Sequence, residues 1–299
     1  MLRARISYKK LTHFFLLISA LSVCAGHGAA QQSPKPHAAP TPRQIILPPH
    51  VIAGAPAMLA VLDSRGRLMP RMEVELSSGQ KVTTDVTGRA LFNATNQPGT
   101  MVAKIANQRI TSSTNVVLPE NASPRDSAGA VTVNSYPHVM TQHDRFVLEG
   151  SGFRSEADSN HISLNGDPCL VIASSPVSLV VFPGPHGLVG DAKLKVVVGG
   201  TDAGLFPVSV VALEFSGPTS AVNAGSTGKL ILRARGTALS LTVEVRNGSP
   251  QVIRLTQGNV QRLKTSGGDE NIAPIEVNFV TGGDYSVTAR LISADNRRN

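Results

Sequence analysis

Hydrophobic and polar residues alternate with a period of two along most of this chain. In Leu239-Ser-Leu-Thr-Val-Glu-Val-Arg246 every odd position is apolar and every even position polar. Successive side chains leave a strand on opposite sides, so this pattern predicts a strand with one buried and one wet face. Tyr285, Val287, Ala289 and Leu291 repeat it near the end, and Phe146 and Leu148 alternate with Val147 and Glu149. Shorter strands are predicted over 58–62, 72–76, 90–92, 101–105 and 115–118, and further ones at Asn160-His-Ile-Ser-Leu, Cys169-Leu-Val-Ile, Leu179-Val-Val-Phe and Lys193-Leu-Lys-Val-Val-Val. Turn signals separate them. Asp63-Ser-Arg-Gly66 and Asp85-Val-Thr-Gly88 each open a tight turn with Asp and close it with Gly, and Asn165-Gly166 suits a hairpin needing φ > 0 at both central residues. Asn247-Gly248 is read as another chain reversal. Gly150 and Gly152 are expected to break their strand through positive φ, with Phe153 folding back as an apolar plug.

The order Phe146-Val-Leu-Glu-Gly-Ser-Gly-Phe153, a strand entering Asn165-Gly166, Cys169 in the next strand, a strand ending in Pro183-Gly184 and a late strand after Gly190 resembles the TIG (IPT) immunoglobulin-like domain over residues 131–212. The resemblance implies a β-sandwich. In residues 44–118 the pattern V-L-D-x-x-G-R-x-x-P followed by T-T-D-x-x-G-x-A-x-F resembles bacterial Ig-like and carboxypeptidase-regulatory-like sandwich modules. Residues 213–299 read as a third Ig-like sandwich, each module with its own core. Tyr285, just after Gly282-Gly-Asp, fits either a partial tyrosine corner or an ordinary core tyrosine. Residues 119–130 form a polar linker. The expected fold class is therefore all-β, a tandem of immunoglobulin-like β-sandwich domains after an N-terminal signal peptide. The modules share no fixed sequence period, which argues for a string of domains and against a solenoid.

The signal peptide rests on Arg3, Arg5, Lys9 and Lys10, a short interrupted apolar run over 11–23, and small residues at Gly28-Ala-Ala30. That run is too short for a stable membrane span, so no transmembrane span is expected in the mature chain. Residues 31–43 read as a Pro/Ala-rich tether. Val23 before Cys24 is not the small residue that lipid attachment favours, and cleavage after Ala30 leaves Cys169 as the one cysteine, with no disulfide to form. The formal net charge of +8 includes four cations within residues 1–30, which leaves +4 for the remainder. Trp is absent and aromatics are few, which argues against sugar-stacking platforms and base-stacking grooves; no nucleic-acid partner is expected.

Reactive constellations are missing from the sequence. It has no G-x-S-x-G elbow, no H-E-x-x-H, no CxxC, no Walker loop and no Rossmann fingerprint. Asp63 and Asp85 read as turn caps, because calcium needs more oxygen ligands than their spacing offers. His138 and His143 are too few to hold zinc, Cys169 reads as a small core residue, and no cofactor is expected. The chain is read as a non-catalytic exported cell-envelope or surface protein, located in the periplasm, on the outer surface or outside the cell. It acts as a binding or spacer module toward an envelope protein or polysaccharide. The alternative is an accessory, non-catalytic subunit of a polysaccharide-acting extracellular enzyme; a Rel-type transcription factor is disfavoured by the signal peptide. The candidate partner contact is Lys229, Ile231, Arg233 and Arg235, which share one face of a strand. These cations either meet an anionic surface or guard a strand edge against aggregation.

Overall fold

The structure, a computed structural model, describes residues 42–106, 108–119, 130–184, 188–218 and 222–295. The signal peptide, Cys24, nearly all of the tether and linker, and His186 lie outside the described residues. The described residues are built from strands, with no α-helix and one turn of 3-10 helix at Ala157–Ser159. None of their helices is long and apolar enough to cross a membrane. The fold is all-β, a series of packed immunoglobulin-like sandwiches.

The first sandwich contains β1 (Pro42–Ile46), β2 (His50–Ile52), β3 (Pro56–Asp63), β4 (Glu73–Leu76), β5 (Lys81–Thr83), β6 (Arg89–Asn93), β7 (Gly99–Ile105) and β8 (Thr111–Val117). One sheet runs β2-β8-β7-β4-β5 and faces the β1, β3 and β6 layer. Ala57, Leu59 and Val61 of β3 meet Val74, Leu76, Phe92, Met101 and Ile105 in the core between them. Both predicted Asp turns form. Asp63 Oδ1 accepts the Arg65 and Arg67 backbone N–H at 2.7 and 2.9 Å, while Oδ2 accepts Arg67 Nε at 2.8 Å. These bonds hold the Asp63 carboxyl below its usual pKa, the Arg67 backbone N–H foremost. Asp85 caps its own turn through the N–H groups of Thr87 and Arg89.

The middle of the chain forms β9 (Thr132–Ser135), β10 (Val139–Thr141), β11 (Phe146–Ser151), β12 (Asn160–Leu164), β13 (Asp167–Pro168), β14 (Leu170–Ser174), β15 (Ser178–Phe182), β16 (Gly190–Val198) and β17 (Thr201–Ser216). Asn165 and Gly166 both have positive φ, 50° and 93°, as a two-residue hairpin requires. Gly152 also sits at φ 78°. Gly150 does not, and here the sequence expectation is corrected: β11 runs through Gly150 to Ser151. Gly150 is needed for closeness, since an added Cβ would lie 2.0 Å from the Thr132 carbonyl oxygen. The Phe153 ring closes over the same position, 3.0 Å from that Cβ, and is almost wholly buried.

The modules are joined by sheets. β3 pairs with β14 at Met58 and Ser174, so one seven-stranded sheet runs β1-β3-β14-β15-β11-β9, with β6 also on β3, through residues of both the first and the second module. A separate cluster of Ile46, Ala60, Leu62, Ile172, Ala173 and Val180 packs across that junction. This is why 57–62 reads as an unbroken apolar run: β3 buries both faces. Side chains tie the same seam. Ser175 Oγ and Ser178 Oγ donate to the His50 carbonyl at 2.6 and 2.8 Å, and Ser155 Oγ donates to the Pro56 carbonyl at 2.6 Å. Arg89, 4 % exposed, reaches across to Asp158 with Nη1 to Oδ1 at 2.7 Å.

The last part adds β18 (Thr227–Arg235), β19 (Leu241–Asn247), β20 (Ile253–Leu255), β21 (Val260–Lys264), β22 (Ile272–Phe279) and β23 (Val287–Ala294). The position 212/213, read above as a module boundary, lies inside the sixteen-residue β17. The first part of β17 pairs with β16 and the last part with β18, giving an eight-stranded sheet β13-β12-β16-β17-β18-β22-β20 with β10 alongside β17. Val208 and Val210 belong to the second core, Val211 and Leu213 to the third. The small sheet β21-β19-β23 closes the third core from the other side, with Leu241, Val243 and Val245 fully buried. Tyr285 packs at this core with its ring 6.4 Å from Phe279.

Candidate binding surfaces

Lys229, Ile231, Arg233 and Arg235 project from one face of β18, while Leu230, Leu232 and Ala234 fill the core on the other. The edge-guarding reading of these cations is overturned. β18 lies between β17 and β22, and its Ile231 and Arg233 are paired on both sides, so it is a central strand of its sheet and not an edge strand. The face is also partly neutralised by its cross-strand neighbours. Lys229 Nζ stands 3.1 Å from Glu276 Oε1, and Arg235 pairs with Glu214. Arg233 is exposed and makes no ion pair among the described residues. Ile231 is half-buried, opposite Pro274 of β22 and Ser216 of β17. The result is a flat, mostly polar sheet face whose net positive charge centres on Arg233.

A second charged array sits on the outer face of the β21-β19-β23 sheet. Glu244, at the middle of the central strand, is registered against Arg262 on one side and Arg290 on the other. Arg246 Nε donates to Glu244 Oε1 at 2.7 Å. That bond first, then the charges of Arg246, Arg262 and Arg290, hold the Glu244 carboxyl below its usual pKa. Alternation in 239–246 already placed Glu244 and Arg246 on the wet face. The convergence of Arg262 and Arg290 depends on strand register, which alternation within one strand does not contain.

Next to this array, β23 borders a groove of about 490 Å³ whose other wall is formed by residues 135–147. Arg145 and Arg290 both line it. Arg145 is half-buried and its Nη1 donates to Gln44 Oε1 of β1 at 3.1 Å, so this spot draws on the first, second and third parts of the chain. Burial and the neighbouring Arg290 lower the Arg145 pKa, and Asp144 works in the opposite direction. Tyr136 and His138 form the far end, with ring centroids 4.7 Å apart.

The residues considered for chemistry are dispersed. Among the described residues no three His, Cys, Asp or Glu side chains stand close enough to share a metal ion. His138, His143 and His161 are exposed. Cys169 is half-buried beside the second core, and burial pushes its thiol up to about 11. A thiol held that far above neutrality is a poor nucleophile at physiological pH.

No protein-family model matches the chain, and no curated protein sequence matches it. Among solved structures, the chain is similar to the plexin A4 full extracellular region at 11% identity and TM-score 0.33, over 85% of this chain and 33% of that one. It thus spans about a third of the plexin chain. A Bacteroides ovatus mixed-linkage glucan utilization locus SGBP-B, in complex with a mixed-linkage heptasaccharide, matches at 14% identity and TM-score 0.22, over 82% of this chain and 60% of that one. An SGBP-B from a complex xyloglucan utilization locus in Bacteroides uniformis matches at 11% identity and TM-score 0.27, over 85% of this chain and 99% of that one. Likenesses this remote carry nothing about what the present chain binds.

Proposed function

We propose that this chain is a non-catalytic exported surface or envelope protein that acts as a stiff binding and spacer module, with residues 131–212 as its TIG/IPT-type unit. The observation that carries the reading is the way the parts are joined. One sheet passes from the first sandwich into the second through β3 and β14, and β17 passes from the second into the third. Surfaces far apart in sequence are thereby held in one frame, which favours presenting a preformed binding surface over moving a lid across a reaction site. The partner contact in this reading is the exposed face of β18, with Arg233 at its centre and Lys229, Ile231 and Arg235 around it.

The test is retention of the purified protein on envelope preparations across a salt series, for wild type and for Arg233→Glu with Arg235→Glu. An exposed charge contact weakens with ionic strength, so retention is expected to fall with salt and to be lost in the double variant. Unchanged retention in that variant removes β18 as the contact face. Turnover of polysaccharide, peptide or ester substrates by the pure protein removes the non-catalytic reading.

A further inference from the structure

We propose that the groove between β23 and residues 135–147 is a binding site for an acidic glycan, whose carboxylate is clamped between Arg145 and Arg290. The proposal rests on the reading of this protein as a binding module and adds a second surface, separate from β18, with a ligand class of its own.

Charge is the first argument. Arg145, Arg246, Arg262 and Arg290 gather around this corner against two carboxylates, Glu244 and Asp144. Glu244 is already engaged by Arg246, and Asp144, beside Arg145, offsets part of that charge. Of these groups Arg145, Arg290 and Asp144 line the groove itself, which leaves one positive charge in excess there. Arg290, exposed and also acting by its charge on Glu244, lines the groove together with the half-buried Arg145 and repels it. Two guanidiniums brought together repel each other, and an oxyanion between them converts that repulsion into two charge-assisted contacts. The planar donor fork of arginine suits a carboxylate. Partial burial of Arg145 strengthens the contact compared with one on an open face.

The shape of the walls selects the kind of polymer. The volume of about 490 Å³ falls in the range of small-ligand sites, enough for one or two sugar residues of an extended chain. An acidic peptide would dock by adding a strand to the edge of β23, which among the described residues pairs with β19 alone. That edge is broken within the groove. The register steps from Val243↔Leu291 to Thr242↔Ser293, leaving Ile292 as a bulge residue. A bulge on an edge strand interrupts the ladder an added peptide needs. The opposite wall carries Pro137, which lacks an N–H to offer. A glycan brings hydroxyls and a carboxylate and requires no continuous ladder.

The experiment is affinity electrophoresis of the full mature chain in native gels cast with polygalacturonate at low ionic strength. Parallel gels contain the fully methyl-esterified polymer or poly-L-glutamate. Retardation is expected with polygalacturonate and not with the neutral ester, and poly-L-glutamate is expected to retard weakly. Arg145→Gln with Arg290→Gln should raise the dissociation constant by about tenfold or more, the loss expected for hydrogen bonds to a charged group. Arg290→Gln alone, at an exposed position, should weaken binding without disturbing the fold. No retardation by polygalacturonate, or equal retardation of the Arg145/Arg290 variant, overturns the site. Equal or stronger retardation by poly-L-glutamate overturns the glycan assignment in favour of an acidic peptide. Envelope retention of a wild-type protein that polygalacturonate does not retard would show that this inference has failed while the β18 reading stands.

Discussion

Gly150→Ala adds a single methyl group and tests how the second module holds its edge. Gly150 has an ordinary β conformation, so alanine there introduces no backbone strain and slightly restricts the unfolded chain, a gain of about 0.4–1 kcal/mol. The contact outweighs that gain. The new Cβ would sit 2.0 Å from the Thr132 carbonyl oxygen, which belongs to the backbone and cannot swing aside. Restoring an ordinary contact requires β9 to retreat by roughly 1.5 Å. The β9–β11 pairing rests on three register pairs, Glu149↔Ser135, Gly150↔Val133 and Ser151↔Thr132, so a shift of that size loosens most of it. Two or three ladder hydrogen bonds at about 1 kcal/mol each, with partial exposure of Val131 and Val133, give a loss of about 3 kcal/mol. Set against the unfolded-state gain, the net is about 2–3 kcal/mol. For a cooperative unit of this size each kcal/mol shifts Tm by about 2–4 °C, so the fall should be about 4–12 °C. Differential scanning calorimetry also reads the coupling. β9, β11, β15, β14 and β3 lie in one sheet, so the transition of the first module should move with that of the second. Wild-type melting in Gly150→Ala would refute the close approach, and a first-module transition that stays in place would refute the coupling.

Other perturbations bear on single groups. Glu244 has a folded pKa below its ordinary value of 4.5, so its stabilising contribution is complete above the unfolded value and is lost as pH falls through the depressed one. Glu244→Gln should therefore flatten the acid limb of stability, read by urea melts at stepped pH below the ordinary carboxylate range; an unchanged limb would contradict the arginine array. Cys169, pushed up to about 11, should alkylate far more slowly than a free thiol near neutrality, with a rate still climbing above pH 9. A rate plateau near neutrality would mean that the thiol is solvated.

Much of this molecule is already legible along the chain. The alternation from Leu239 to Arg246 determines which residues of β19 enter the core, because the pleat allows only two faces. Asp63, Asp85 and the Asn165-Gly166 pair determine their turns for the same local reason: a short side chain caps its own backbone, or a positive φ is tolerated. Gly150 was visible as a glycine but not for its true reason, since the atom that excludes a side chain, the Thr132 carbonyl, lies on another strand. The apolar run at 57–62 fits a strand buried on both faces, yet only the fold shows that β3 and β17 weld neighbouring sandwiches. Charge followed the same division. The cations of β18 share a face by periodicity alone, but whether that strand is an edge or a centre depends on β17 and β22. Arg145 and Arg290, far apart in the chain, stand across one groove only because register and sheet order bring them there, and period-two alternation encodes a side of a strand, never its neighbour.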